Sequence, residues 1–260
     1  MGEFVNFEIS DKGVATIRVA RGKLNPLNPQ VVGELGDAVD ALAGDESARA
    51  VVVWGGPDVF AAGADIKEMV DADPVAMYRW IGDFGGVFTR LERLPQVTIA
   101  AVNGFALGGG CELAMACDLR VAAEDAQFGQ PEILLGIIPG AGGTQRMPRL
   151  IGAGRAKELI YSGRFVTADE ALSIGLVTEV VPADKVYERA VALAERYARG
   201  PTIALFAAKQ AIQNGIEVDL TTGLLIERQG FAALFATEDQ RIGMESFVER
   251  GPGKAEFVGR

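Results

Sequence analysis

The chain has 260 residues, 49% hydrophobic and 23% charged, enough for one large buried core in an ordinary globular protein. A net charge of −10 excludes an electrostatic footprint for nucleic acid but leaves room for a small anionic ligand held by a few local cations. There is no histidine, so general acid/base chemistry falls to carboxylates, and nothing is present to activate Ser162 or Cys111 as a hydrolase nucleophile.

The N-terminal MGEFVNFEISDKG lacks a signal core, and its Met1-Gly2 start lacks the Ser/Thr of an acylation site. The apolar runs are too short and too broken to span a bilayer. Only two cysteines occur, Cys111 and Cys117, on opposite faces of one predicted helix. They cannot pair with each other, and a reducing cytoplasm is the expected setting.

In chain order, residues 3–9 and 13–20 flank Asp11-Lys12-Gly13 and predict a hairpin. Asn28 followed by Pro29 predicts a helix start, with Val31, Val32, Leu35, Val39 and Leu42 on one face up to Ala43. Ala50–Trp54 is a short buried strand. Residues 66–94 look helical, with weak points at Asp71–Pro74 and Gly82–Gly86. Strand 97–102, helix 109–117 and strand 119–123 repeat the strand-to-helix rhythm, which predicts an α/β core of stacked turns. Thr167-Ala168-Asp169-Glu170 is a capping box before a short helix ended by Gly175, and 177–181 is a last strand. Helices at 184–199, 201–214 and 219–236 follow. The expected division is an α/β body over 1–182 and a helical region over 183–260.

The chemistry concentrates in residues 97–147. Gly108-Gly109-Gly110 between a strand and a helix suggests a nucleotide turn, but Leu113 stands where a third small residue belongs, and no Gly-Lys-Ser/Thr follows. The glycines can instead present bare backbone N–H groups to a ligand oxygen. Glu112 and Glu132 each lie near a predicted helix start, where a carboxylate can simply complement the helix dipole. Their apolar neighbours argue against exposure, and two carboxylates converging there would share a proton. Phe60–Ile66 is a second turn, made of small residues, that a flat group could approach closely.

Three segments then carry a resemblance: FAAGADIKEM (60–69), AAVNGFALGGGCELAMACDLRVA (100–122) and FGQPEILLGIIPGAGGTQRMPRLIG (128–152). In this order they closely resemble the enoyl-CoA hydratase (crotonase) family. Weaker likeness runs through LNPLN (24–28), GLVTEVVP, FATEDQRIGMESFVERG and KAEF. Pro26 departs from the alanine usual in relatives.

The resemblance implies an α/β spiral of stacked ββα units, with a helical C-terminal region that assembles trimers or hexamers. It implies an acyl-CoA thioester substrate, with coenzyme A as part of that substrate and no separate cofactor or metal. The thioester oxygen would be met by the N–H groups of Ala64 and Gly109. Glu112 and Glu132 would be the catalytic pair, and Ala62, Asp65 and Ile66 would meet the coenzyme's adenine. The expected reaction is syn addition of water to a trans-2-enoyl-CoA. Glu112 would deprotonate the water and Glu132, the expected holder of the shared proton, would protonate C2.

Residues 68–94, with Met77, Trp80, Phe84 and Phe88, would shape the acyl pocket. An isomerase or another acyl-CoA enzyme of the superfamily is the alternative within this fold, and a non-catalytic binding protein the alternative outside enzymes. Acyl length stays open, as does the pathway, whether fatty-acid β-oxidation, branched-chain amino acid or polyester metabolism.

Overall fold

The computed structural model describes residues 2–260, so Met1 of the N-terminal reading lies outside them. Strands β1 (Val5–Ile9) and β2 (Val14–Val19) form the expected antiparallel hairpin, with Val5 opposite Val19. Helix α1 (Pro29–Ala43) starts where predicted: Asn28 accepts from Val31 N at 2.9 Å, and Pro29 has no N–H to leave unpaired. Its buried face includes all five predicted residues.

Strand β3 (Ala50–Trp54) leads through a 3-10 turn (Ile66–Glu68) to α2 (Pro74–Glu92). Asp73 caps α2, accepting from Val75 N and Ala76 N, so the break near Asp71–Pro74 is real. The second weak point is not a break: α2 runs unbroken through Gly82, Gly85 and Gly86. Each helical glycine costs about 1 kcal/mol against alanine. Burial of Phe84, Val87, Phe88 and Leu91 on the same helix outweighs that, at about 1.5–3 kcal/mol per large side chain.

Strand β4 (Val97–Val102), the short β5 (Phe105–Leu107) and α3 (Gly109–Ala116) form the next turn. Then come β6 (Leu119–Ala123), β7 (Gln127–Gly129), a 3-10 turn (Pro131–Leu135), α4 (Gly143–Ile151) and α5 (Ala153–Ser162). Strand β8 (Phe165–Thr167), α6 (Ala168–Ser173) and β9 (Glu179–Val181) close the sheets. Thr167 Oγ1 accepts from Glu170 N at 3.3 Å, but the Glu170 carboxylate pairs with Arg164 at 2.6 Å. Only half of the capping box therefore forms.

The larger sheet runs β1-β2-β3-β4-β6-β9, parallel from β2 onward. Strands β3, β4 and β6 are mostly apolar because both faces are covered, with Thr98 in β4 and Arg120 in β6 as the buried polar residues. The second sheet, β5-β7-β8, is extended by single bridges Leu27–Ala64 and Ala61–Ala106. Strands β2, β3, β4 and β6 are thus each followed by a brief pairing in a second layer and then by a helix. The chain winds as a spiral of ββα units.

Helix α7 (Val186–Ala198) lies against β2, β3, β4 and β6, burying Val186, Ala190, Ala194 and Ala198. Helices α8 (Thr202–Gly215), α9 (Leu220–Ala233) and α10 (Glu238–Arg250) extend beyond the sheet. Lys209 of α8 is tied to the core by Asp118 Oδ2 at 2.8 Å and by the Gln96 carbonyl at 3.1 Å. Helix α9 buries no residue, and Ile212, Leu220, Phe231 and Val248 are exposed.

Candidate active site

Helix α3 holds the first cluster. All eight of its residues are buried, and it packs so close to the second turn of the spiral that a Cβ on Gly110 would stand 2.0 Å from the Ala61 carbonyl oxygen. Gly108 precedes the helix with φ of +50°, a conformation glycine adopts readily and larger residues rarely do. At the other end, buried Arg120 donates to the Cys117, Ala114 and Leu176 carbonyls. A cation there complements the helix C-terminus.

This packing brings the two small-residue turns together. A methyl group built on Gly109 would lie 3.6 Å from Ala64 N. Gly109 N opens the helix, where no intrahelical acceptor exists. Ala64 N likewise has no acceptor in the backbone or side-chain hydrogen bonds of the described residues. Two N–H donors without an intrachain acceptor therefore lie close together, and both residues line one cavity.

Glu112 is only 2% exposed, so it is not a surface carboxylate soothing a dipole. Its Oε1 accepts from Ala141 N at 2.8 Å and Gly143 N at 2.7 Å. Burial pushes its carboxyl above the ordinary range, opposed by those two N–H bonds and by nearby Arg146. Arg146 also props the loop that supplies them, donating to the Ala141 carbonyl at 3.0 Å and pairing with Glu92 at 2.7 Å.

Glu132 sits in the 3-10 turn after Pro131, with Oε1 placed 3.0 Å from where a Cβ on Gly108 would be. Its Oε2 is buried and has no partner among the described residues. Desolvation raises its carboxyl to about 7, and the Glu112 charge adds to this.

Ala62, Ala64, Ile66, Gly109, Glu112 and Glu132 all line one cavity of about 520 Å³. Asp65 does not line it: its carboxylate accepts from Arg21 at 2.8 Å and caps the 3-10 turn at Lys67 N, and the Arg21 bond holds it below the usual range. Of the side chains expected to shape the acyl pocket, Met77 and Phe84 line it and Ile81 joins them. Trp80 and Phe88 do not. Phe88 is fully buried in the core, and Trp80 packs edge-on against Phe84. Cys111 is buried with its thiol pushed up to about 12, which removes it as a nucleophile. Among the described residues, no cluster of three or more Cys, Asp or Glu is placed to hold a metal.

Sequence reasoning missed Ala141, Gly143, Arg146 and Gln130, whose Nε2 donates to the Gly108 carbonyl at 3.1 Å. All four lie in the third motif segment, so the signal was present without its geometry.

Comparison with known proteins gives the family. Residues 10–259 match enoyl-CoA hydratase/isomerase. The chain belongs to that family. A short-chain-enoyl-CoA hydratase of Clostridium acetobutylicum is 45% identical over 91% of this chain and 92% of its own. A 2,3-dehydroadipyl-CoA hydratase of Escherichia coli is also 45% identical, over 87% of this chain and 88% of its own. The crystal structure of a Bacillus anthracis enoyl-CoA hydratase superposes with a TM-score of 0.94 at 41% identity, over 99% of this chain and 100% of that one. The architecture is the crotonase-like spiral expected of an enoyl-CoA hydratase/isomerase.

Proposed function

We propose that the chain is an enoyl-CoA hydratase, a hydro-lyase that reversibly adds water to a trans-2-enoyl-CoA to give a 3-hydroxyacyl-CoA. The reading is carried by one observation: two glutamates with different surroundings line the same cavity as two unpaired N–H donors. Attack of water at C3 moves negative charge onto the thioester oxygen. The N–H groups of Ala64 and Gly109 would stabilise that charge without reorganising, each about 2.7–4 kcal/mol by comparison with oxyanion donors elsewhere.

Glu112, with Oε1 held by two N–H groups, keeps Oε2 to orient and deprotonate the water. Glu132, raised to about 7, carries a proton near neutral pH and delivers it to C2. Ala62 and Ile66 at the cavity wall support a place for the coenzyme there, whereas the Asp65 carboxylate acts by shaping the turn.

The test is hydration of crotonyl-CoA, followed by loss of the conjugated thioester's ultraviolet absorbance, beside a 3-enoyl-CoA as isomerase substrate. Turnover of the 3-enoyl thioester alone would overturn the reading. The relatives' names supply two kinds of acyl group, a short enoyl chain and a dehydroadipyl chain that ends in a carboxylate.

The exposed apolar residues of α8–α10 support assembly into a trimer or a dimer of trimers through that region. The two unpaired, buried thiols support a reducing cytoplasm. No described helix is long and apolar enough to cross a membrane.

A further inference from the structure

Helix α2 presents Met77, Ile81 and Phe84 to the cavity from one face, spaced four and three residues apart. Phe84 lies at the thioester end: its Cε1 is 3.4 Å from where a Cβ on Gly109 would be. Ile81 closes on Gly140, where any Cβ would meet its Cγ1 at 2.6 Å. Met77 comes next. From Phe84 to Met77 the helix rises about 10 Å, so the end of a six-carbon acyl chain falls between Ile81 and Met77.

Ile138 also belongs to the lining. Among the described residues lining the cavity there is no Lys or Arg, and the only ionisable side chains are Glu112 and Glu132. Lys67 and Arg79, cations of the neighbouring segments, are exposed and outside the lining.

We propose that this pocket selects uncharged aliphatic enoyl chains and rejects chains ending in a carboxylate, with Met77 the side chain that meets the chain end. The inference rests on the hydratase reading and narrows its substrate class. A carboxylate drawn in beside Ile81 and Met77 loses water and gains neither a cation nor a hydrogen-bond donor, and the Glu112 base in the same cavity adds repulsion. An alkyl terminus there only loses contact with water, which is favourable.

The test uses saturated thioesters, which bind without turning over. Hexanoyl-CoA and adipyl-CoA have the same chain length and differ at the terminus. Calorimetry on the full-length protein should find hexanoyl-CoA bound about 30-fold or more tightly. Equal or tighter binding of adipyl-CoA overturns the proposal. Met77→Arg should bring the two affinities within about threefold, while Met77→Leu leaves the ratio unchanged. A ratio unmoved by Met77→Arg overturns the assignment of Met77. Crotonyl-CoA hydration is measured on the same preparation. Its failure alongside an intact binding preference would remove the hydratase reading and leave the acyl selectivity standing.

Discussion

The proton affinity of Glu132 makes two measurable statements. Its carboxyl is raised from the ordinary 4.5 to about 7 by burial, so kcat/KM for hydration should fall above about pH 7 as the proton is lost. Glu132→Gln should lower kcat by several orders of magnitude and abolish that limb. Retention of the limb in the variant would assign it to another group. The stability effect has a definite sign. Below about pH 4.5 the side chain is protonated whether folded or unfolded. Above that the fold holds the proton more tightly, so stability is lost as pH rises through about 7. The Tm of Glu132→Gln relative to the parent should therefore rise between about pH 5 and pH 8, and a flat difference across that range would contradict the burial of this carboxylate.

Glu112 predicts differently, because its Oε1 is already occupied by Ala141 N and Gly143 N. Glu112→Gln keeps an oxygen to accept those bonds, so folding should change little. The base is lost, and kcat should fall by at least 10²-fold. Near-normal turnover would sink the two-glutamate scheme.

Among the elements, α3 decides the site, since it carries both Gly109 and Glu112. Its position depends on the absence of a side chain at Gly110, where a Cβ would overlap the Ala61 carbonyl. Gly110→Ala should destabilise by about 1–3 kcal/mol, read from denaturant unfolding, and should lower kcat by pushing Gly109 N away from Ala64 N. The far end of α3 depends on Arg120, whose buried Nε and Nη1 donate to three carbonyls. Arg120→Met should cost about 1–3 kcal/mol by leaving those carbonyls unpaired. If unfolding showed no loss, the cap would be incidental.

The elements also show where local patterns stop informing. Asn28-Pro29 set the start of α1 because capping is a matter of adjacent residues. Gly82–Gly86 misled because propensity was read without the burial of Phe84 and Phe88. Strands β5, β7 and β8 have three residues each, too few for a period of two to register, and exist through pairing between distant segments. Helices α4, α5 and α10 also escaped the sequence reading. In α4 the opening glycines and an internal Pro148 hide the helical pattern.

For the whole molecule, the outward-facing surface of α8–α10 makes the strongest prediction. Exposed Ile212, Phe231 and Val248 stand on helices that bury little within one chain. Light scattering should give three or six times the 27.5 kDa chain mass. Charging this face with Phe231→Asp and Val248→Asp together should lower the mass, and a monomeric parent would refute the assembly.

By itself the sequence determined the strand-to-helix rhythm, the boundaries of α1 and β3, the absence of a histidine mechanism and, through the motifs of the family resemblance, the identities of both glutamates. Those follow from residue type and short-range order. Tertiary structure alone decided that Asp65 turns to Arg21, that Phe88 enters the core, and that one oxygen of Glu112 is occupied while one of Glu132 is bare. Such outcomes depend on which distant backbone groups arrive beside a side chain. Hydrogen bonding and desolvation act through space, and position along the chain does not encode that distance.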